Sequence, residues 1–299
     1  MKILVGNNGL GLPGGSETYT YALIKELVRR GHDVTAVGKE GPGLISRKLS
    51  ELGVKSFFEP VSGEYDLILL SHSSAIHLAK EAKGFKVQTC HGIYPALEQP
   101  VAGMDAYVSI SEEVYNHLKS KGFDSTIIAN GVDCERYKPV NPINDKLQTV
   151  LSLAHSEPAN TIIKEACRIA NVNLIINNKF KEWKWEVDEI INRADLVISL
   201  GRGAYESMAA GRNVVIFDQR NYTNMPAIGD GIITKDNVDN YLKNNCSGRY
   251  TKKVFDAQLL SEEILKYNSQ YGKDLRDYSL ENLNIQKQVD KYLNLKNQI

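Results

Sequence analysis

Short apolar, β-branched runs alternate along the chain with stretches in which apolar residues recur every three or four positions. In the first half the runs are Ile3–Val5, Val34–Val37, Leu67–Leu70, Val87–Thr89, Tyr107–Ile110 and Ile127–Ala129. Between the first two runs the spacing predicts a helix from Glu17 to Arg30. Ala22, Leu23, Leu27 and Val28 share one of its faces, Lys25, Glu26 and Arg29 fall elsewhere, and Gly31 stands where a helix stops. Near-continuous apolar strands separated by amphipathic helices are the pattern of a parallel sheet with crossover helices.

The period is lost over Asn130–Asn144, where Asn130-Gly131, Pro139 and Pro142 break it, which predicts an interdomain linker. The alternation then restarts. Strands are predicted at Thr149–Leu153, Leu174–Ile176, Leu196–Leu200, Val214–Phe217 and Ile232–Ile233, with helices near Asn160–Ala170, Trp183–Arg193 and Tyr205–Ala210. Beyond Asp236 the chain is polar and helical, and it ends in a helical pattern over Leu283–Leu295. The expectation is a first doubly wound domain over 1–138, a second over 139–275, and a C-terminal segment, 276–299. A length of 299 residues is enough for two hydrophobic cores.

Composition narrows the partners. With 36 Lys+Arg against 36 Asp+Glu there is no net charge, and the electrostatic footprint of a nucleic-acid binder is missing. Cys90, Cys134, Cys167 and Cys246 are far apart and form no Cys-x-x-Cys pair, so neither a disulfide framework nor a zinc site is indicated, and a reducing cytosol fits best. The opening Met1-Lys2-Ile3-Leu4-Val5 is too short an apolar run for a signal peptide. No stretch approaches the roughly 20 apolar residues of a membrane span.

In open parallel sheets ligands bind beyond the carboxyl ends of the strands, so the loops that follow them are where chemistry is expected. The first, Gly6-Asn7-Asn8-Gly9-Leu10-Gly11-Leu12-Pro13-Gly14-Gly15-Ser16, lets backbone amides approach a ligand, and the helix start after it suits phosphate. Gly9-Leu10-Gly11-Leu12-Pro13-Gly14 also spells the dinucleotide fingerprint, with Glu40 in the place of its ribose-binding acid, although a helix starting at Ser16 fits that fingerprint poorly. A purely structural glycine turn is the third reading. The loop His91-Gly92-Ile93-Tyr94-Pro95 puts an imidazole at a strand end, where it can donate to a sugar hydroxyl or to charge developing at a reacting carbon; a structural histidine is the plainer alternative.

In the second half, Gly201-Arg202-Gly203-Ala204-Tyr205-Glu206 follows a strand and opens a helix expected to carry Glu206 in its first turn. That geometry can hold a diphosphate on amides and a ribose on the carboxylate; alternatively Glu206 merely favours the helix start electrostatically. No Asp-x-Asp occurs, which argues against metal-held diphosphate, and there is no P-loop, H-E-x-x-H or G-x-S-x-G motif.

These blocks together resemble the group 1 (family 4-like) retaining glycosyltransferases of the GT-B type. Gly14-Gly15-Ser16-Glu17 with Arg29-Arg30-Gly31-His32-Asp33-Val34 is similar to that family's opening, and His91-Gly92 to its active-site histidine loop. Val108-Ser109-Ile110-Ser111-Glu112 resembles the strand that follows. Ile128-Ala129-Asn130-Gly131-Val132-Asp133 through Tyr137-Lys138-Pro139 is similar to its linker, and Glu206-Ser207-Met208-Ala209-Ala210-Gly211-Arg212-Asn213-Val214-Val215 to the block that carries the ribose carboxylate.

The resemblance implies two Rossmann-like, doubly wound α/β domains facing a cleft, with the last helix crossing back to the first domain. It implies Glu206 on the donor ribose, amides near Gly203 and Ala204 on the diphosphate, Gly14 and Gly15 on the donor, and His91 as the catalytic residue at the transferred sugar. The leaving diphosphate assists attack on its own side of the sugar, so no side-chain nucleophile is needed. The partners implied are a nucleotide-sugar donor and a glycan, lipid or small-molecule acceptor, with no cofactor, no metal and no nucleic acid. The expected location is cytoplasmic, with peripheral membrane contact where the acceptor is a lipid.

Two departures stand out. The acidic residue that the family places eight positions before Glu206 is Ile198 here, and its Arg and Lys after the first strand of the second domain are replaced by Ala154-His155-Ser156-Glu157-Pro158-Ala159-Asn160. Uncompensated phosphate charge in a partly dry site is costly. Arg202 is therefore expected to balance the diphosphate, with His155 and Lys164 as weaker candidates. The losses leave open a non-catalytic protein that binds a nucleotide sugar or glycan, and an NAD-dependent oxidoreductase is the further alternative.

Overall fold

Parallel strands buried on both faces organise the chain into two compact units, Met1–Gly131 with Ile285–Ile299, and Val132–Asn284. The structure is a computed structural model and describes residues 1–181, 184–219 and 226–297.

In the first unit the elements follow as β1 (Lys2–Gly9), α1 (Gly15–Arg29), β2 (Asp33–Glu40), α2 (Leu44–Glu51), β3 (Lys55–Phe57), β4 (Gly63–Leu70), α3 (Ser73–Leu78), β5 (Ala82–Cys90), β6 (Ala106–Ser109), α4 (Glu112–Ser120) and β7 (Thr126–Ile127). The sheet order is β3-β2-β1-β4-β5-β6-β7, with every pairing parallel. The apolar runs are its interior: Ile3, Leu4, Val5 and residues 67–70 are buried, and Leu4, Ile68 and Leu70 join Val37 and Ala75 in one core cluster. Helix α1 buries Ala22, Leu23 and Leu27 as its spacing requires, and ends before Gly31, whose φ of 80° suits only glycine.

The second unit contains β8 (Thr149–Ser152), α5 (Glu157–Ile169), β9 (Asn173–Ile176), α6 (Val187–Ile191), β10 (Leu196–Ser199), α7 (Gly201–Ala209), β11 (Asn213–Asp218), β12 (Ile228–Ile232), α8 (Val238–Leu242), β13 (Lys253–Val254), α9 (Ala257–Ile264) and α10 (Ser269–Tyr278). Among the described residues its sheet order is β13-β12-β11-β10-β8-β9. The last two strands run antiparallel, which the alternation did not foretell. β12 reads Ile-Gly-Asp-Gly-Ile, a turn-like composition, but a Cβ on Gly229 would collide with the Ile216 carbonyl, so the glycine is there for close strand approach. The helix expected from Trp183 is shorter, α6, and Glu182 and Trp183 lie outside the described residues.

The units divide at Gly131/Val132 and Asn284/Ile285, rather than after 138 and before 276. Residues 132–138 stay with the second unit because their carbonyls are held there: Arg276 Nη1 donates to Cys134 O (3.0 Å), Tyr137 O (2.8 Å) and Ala209 O (2.6 Å). Helix α11 (Ile285–Asn294) packs in the first unit. Its Tyr292 is buried and hydrogen-bonded to Tyr19 Oη (2.9 Å) and Thr89 Oγ1 (3.0 Å), while Arg30 reaches Asp290 (2.5 Å) and Gln286 O (2.6 Å). No helix among the described residues is long and apolar enough to cross a membrane.

Candidate functional site

Each sheet has a point where the strand order reverses, and the loops leaving the two strands there diverge to opposite faces and open a crevice. In the first unit this point lies between β1 and β4, and in the second between β8 and β10. The loops beyond those strands hold most of the sequence candidates.

In the second unit α7 begins one residue beyond β10. Gly201 has φ of 51°, a left-handed conformation that favours glycine, and its amide is spent on Cys246 O (2.9 Å). A Cβ on Gly203 would collide with Ser199 Oγ and stand 3.3 Å from Leu153 Cδ1, so the helix start is pressed against the ends of β10 and β8. First-turn amides of a helix have no carbonyl one turn back within the helix, and Gly203 and Ala204 lie in that first turn.

Because α7 starts at Gly201, Glu206 lies in its second turn rather than its first, four residues after Arg202. That spacing makes an ion pair: Arg202 Nε is 2.8 Å from Glu206 Oε1, with both side chains 8% exposed. Tyr137 and the positive charge of Arg136 also act on this carboxylate. Burial pushes the Glu206 carboxyl up from the ordinary range, while Arg202, Arg136 and Tyr137 hold it down. Burial also raises the Tyr137 hydroxyl, with the negative charge of Glu206 adding to it.

Arg136 was not singled out from the sequence, where it reads as part of a connector. Its Nε lies 3.0 Å from Asp188 Oδ1, its Nη2 donates to Trp185 O, and its guanidinium covers the Trp185 ring at 4.4 Å and the Tyr137 ring at 5.1 Å. No sequence signal pairs residues 136, 188 and 206 across such separations. Of the other cationic candidates, half-buried His155 follows β8 with its ring edge-on to Phe180 at 5.6 Å, whereas Lys164 is exposed on α5 about two turns from its start.

The first unit collects a different set. β1 continues to Gly9, which pairs with Glu40, and Glu40 accepts from Asn8 Nδ2 (3.0 Å). Leu10 to Gly14 then separate the strand from α1, so the tight strand-to-helix turn of a dinucleotide fingerprint is not formed. A Cβ on Gly14 would collide with the Glu17 carboxylate, which also lies 3.1 Å from a Cβ built on Gly9. At Gly15 a Cβ would meet nothing within 4 Å and φ is not positive, so the chain itself does not require glycine there.

His91 leaves β5 half-buried, edge-on to Tyr19 at 5.2 Å and 6.1 Å from the ring of His72. His72 leaves β4, next to β1, and Asn7 Oδ1 hydrogen-bonds its Nδ1. Glu98 Oε1 is 4.0 Å from His72 Nε2, and the other carboxylate oxygen of Glu98 would collide with a Cβ on Gly92. The rule that picked His91, a polar residue just past a strand, applies equally to His72, which directly follows the run 67–70 and Ser71. Glu98 had no such signal. Gly14, Gly15 and His91 thus belong to the first unit and Arg202, Gly203, Ala204 and Glu206 to the second.

No protein-family model matches the sequence, and no curated protein is similar to it in sequence. Solved structures are similar in fold over nearly the whole chain. A glycosyltransferase from Rickettsia africae ESF-5 aligns with TM-score 0.66 at 14% identity, covering 98% of this chain and 97% of that one. A variant of S. aureus TarM, in complex with fondaparinux, alpha-GlcNAc-glycerol and UDP, aligns at 0.58 and 10% identity, with 98% and 99% covered. AviGT4, a glycosyltransferase involved in avilamycin A biosynthesis, aligns at 0.52 and 14%, with 98% and 96% covered. The fold is GT-B. Identities of this size carry architecture, and chemistry has to be argued from the site.

Proposed function

We propose that the chain is a metal-independent glycosyltransferase that moves a sugar from a nucleotide-diphosphate donor to a glycan, lipid or small-molecule acceptor with retention of anomeric configuration. The observation that carries the reading is the start of α7: a glycine-bounded helix N-terminus at the switch point of the second sheet, with the buried carboxylate of Glu206 one turn in. A diphosphate on the amides near Gly203 and Ala204 gains from the helix dipole, and ribose hydroxyls are natural donors to Glu206.

Arg202 serves both groups in this reading. Its guanidinium is a planar fork of N–H donors that meets Glu206 Oε1 through Nε at 2.8 Å, and that donor type matches phosphate oxygens as well as carboxylates. Arg136 adds positive charge to the same buried region and eases the loss of the usual Arg and Lys after β8. His91 acts at the transferred sugar, and Gly14 and Gly15 let the donor approach; retention and these roles rest on the family resemblance. UDP, the nucleotide in the TarM complex, is the first donor base to test. A cytoplasmic location accords with four buried cysteines that are free thiols.

The test is nucleotide release from UDP-, GDP-, ADP- and CMP-sugars in the presence of EDTA, with the anomer of any product assigned by NMR. Turnover of one donor with its configuration kept supports the proposal. Release that requires a divalent ion, an inverted product, or no release from any donor counts against the corresponding part of it.

A further inference from the structure

The switch point of the first sheet carries a polar constellation whose hydrogen bonds fix one tautomer. Thr20 Oγ1 donates to Ser16 O (2.8 Å) and accepts from Asn7 Nδ2 (3.0 Å). The amide of Asn8 lies 2.7 Å from the other terminal atom of Asn7, which must be the oxygen, because nitrogen there would face a second donor. Asn7 Oδ1 therefore faces His72 Nδ1 and accepts its proton. Asn8 N, 3.2 Å from Nδ1, is satisfied by that oxygen instead. With the proton on Nδ1, neutral His72 presents a bare lone pair at Nε2.

Among the described residues Nε2 has no hydrogen-bond partner, though the side chain is only 6% exposed. Facing it at 4.0 Å is Glu98 Oε1, too far for a direct hydrogen bond, and the Glu98 carboxylate takes no other hydrogen bond among the described residues. Both groups are acceptors. A lone pair opposite a carboxylate repels phosphate and other anions, and both groups can accept from a ligand that brings O–H donors.

We propose that Asn7, His72 and Glu98 form a hydroxyl-recognition subsite in the first unit for an uncharged, polyhydroxylated ligand, a sugar or polyol. One hydroxyl donates to His72 Nε2, and the same or a neighbouring hydroxyl donates to Glu98. Asn7 is a positioning residue that acts through His72 by setting its tautomer. This assignment rests on the glycosyl-transfer reading above for its meaning, as the acceptor subsite, and extends that reading by naming neutral hydroxyls rather than an anionic group as what is recognised.

The test is NMR of the full chain labelled with 15N-histidine, the His72 signals being identified by their loss in His72→Gln. At pH 8 His72 should show protonated Nδ1 and pyridine-type Nε2. Titration with a panel of methyl glycosides and glycerol at high millimolar concentration should move the His72 Nε2 signal, and inorganic phosphate should not. Thr20→Val removes the group that orients the Asn7 amide, and should raise the fraction of Nε2–H tautomer in a folded protein. An Nε2–H tautomer in the native chain overturns the proposal, as does an Nε2 signal that no polyol moves or that phosphate moves. A polyol response in a chain that binds no nucleotide diphosphate leaves the subsite standing and removes the transfer reading; nucleotide binding with no polyol response does the reverse.

Discussion

Removing Glu206 should cost stability out of proportion to one carboxylate, because it takes a buried cation's partner. The Arg202 and Glu206 side chains are both 8% exposed and 2.8 Å apart. Deleting one member of such a buried pair takes that counter-charge from the other, a penalty of up to about 3–5 kcal/mol, whereas replacing both by apolar side chains is often close to neutral. The two single losses should differ. Without Arg202, the carboxyl, which burial already pushes up, can take a proton and become neutral, but Arg202 has no comparable escape. Glu206→Met should therefore lose up to about 3–5 kcal/mol, Arg202→Met less, and the double variant should lie within about 1–2 kcal/mol of the parent. Urea unfolding followed by tryptophan fluorescence suits the purpose, since Trp185, whose ring lies against the Arg136 guanidinium, belongs to the second unit. Additive penalties, or a Glu206→Met cost below about 1 kcal/mol, would refute the reasoning.

Gly15→Ala meets nothing within 4 Å at a helical position, so it should leave stability unchanged or raise it by up to about 1 kcal/mol; a fall in activity at unchanged melting temperature would then assign the glycine to a ligand. Gly203→Val should destabilise by about 1–3 kcal/mol through collision with Ser199 Oγ and contact with Leu153, as read by thermal unfolding, and no loss would mean that α7 can move off β10. Burial works to raise the Glu26 carboxyl, but hydrogen bonds from Arg29 and Arg30 outweigh it and hold the group below its ordinary value of 4.5. Its contribution is thus complete above that value and is lost as pH falls through the lowered one. Glu26→Gln should cost about 1–2 kcal/mol at pH 7, and its gap to the parent should close in acid; a gap that widens below pH 4.5 would reverse the sign.

The class of fold was legible because buried parallel strands need continuous apolar runs: residues 3–5, 67–70 and 196–199 could hardly be anything else between amphipathic helices. What the pattern missed has local causes. β12 is held by close glycine packing against β11 rather than by β propensity, so only its end, Ile232, fell within a predicted strand. The unit boundary was set late because residues 132–138 look like a linker, and only the long-range hold of Arg276 on their carbonyls assigns them to the second unit. At the site, glycines and helix starts are local signals and were visible, as were Arg202 and Glu206 singly. Their pairing follows from where α7 begins, and the convergence of Arg136 and Asp188 on that region, or of Asn7, His72 and Glu98, follows from strand order. His72 was within reach of the strand-end rule; Glu98 was not.

The central claim is that the start of α7 with Glu206 holds the donor nucleotide, and isothermal titration of UDP, GDP, ADP and CMP into the parent chain and Glu206→Gln tests it most directly. Gln keeps the shape and a hydrogen-bond acceptor for Arg202 while removing the carboxylate offered to the ribose. The account predicts that one nucleotide binds the parent and binds a folded Glu206→Gln at least tenfold more weakly, about 1.4 kcal/mol. Equal affinity in the two proteins, or no binding of any nucleotide to the parent, would contradict it.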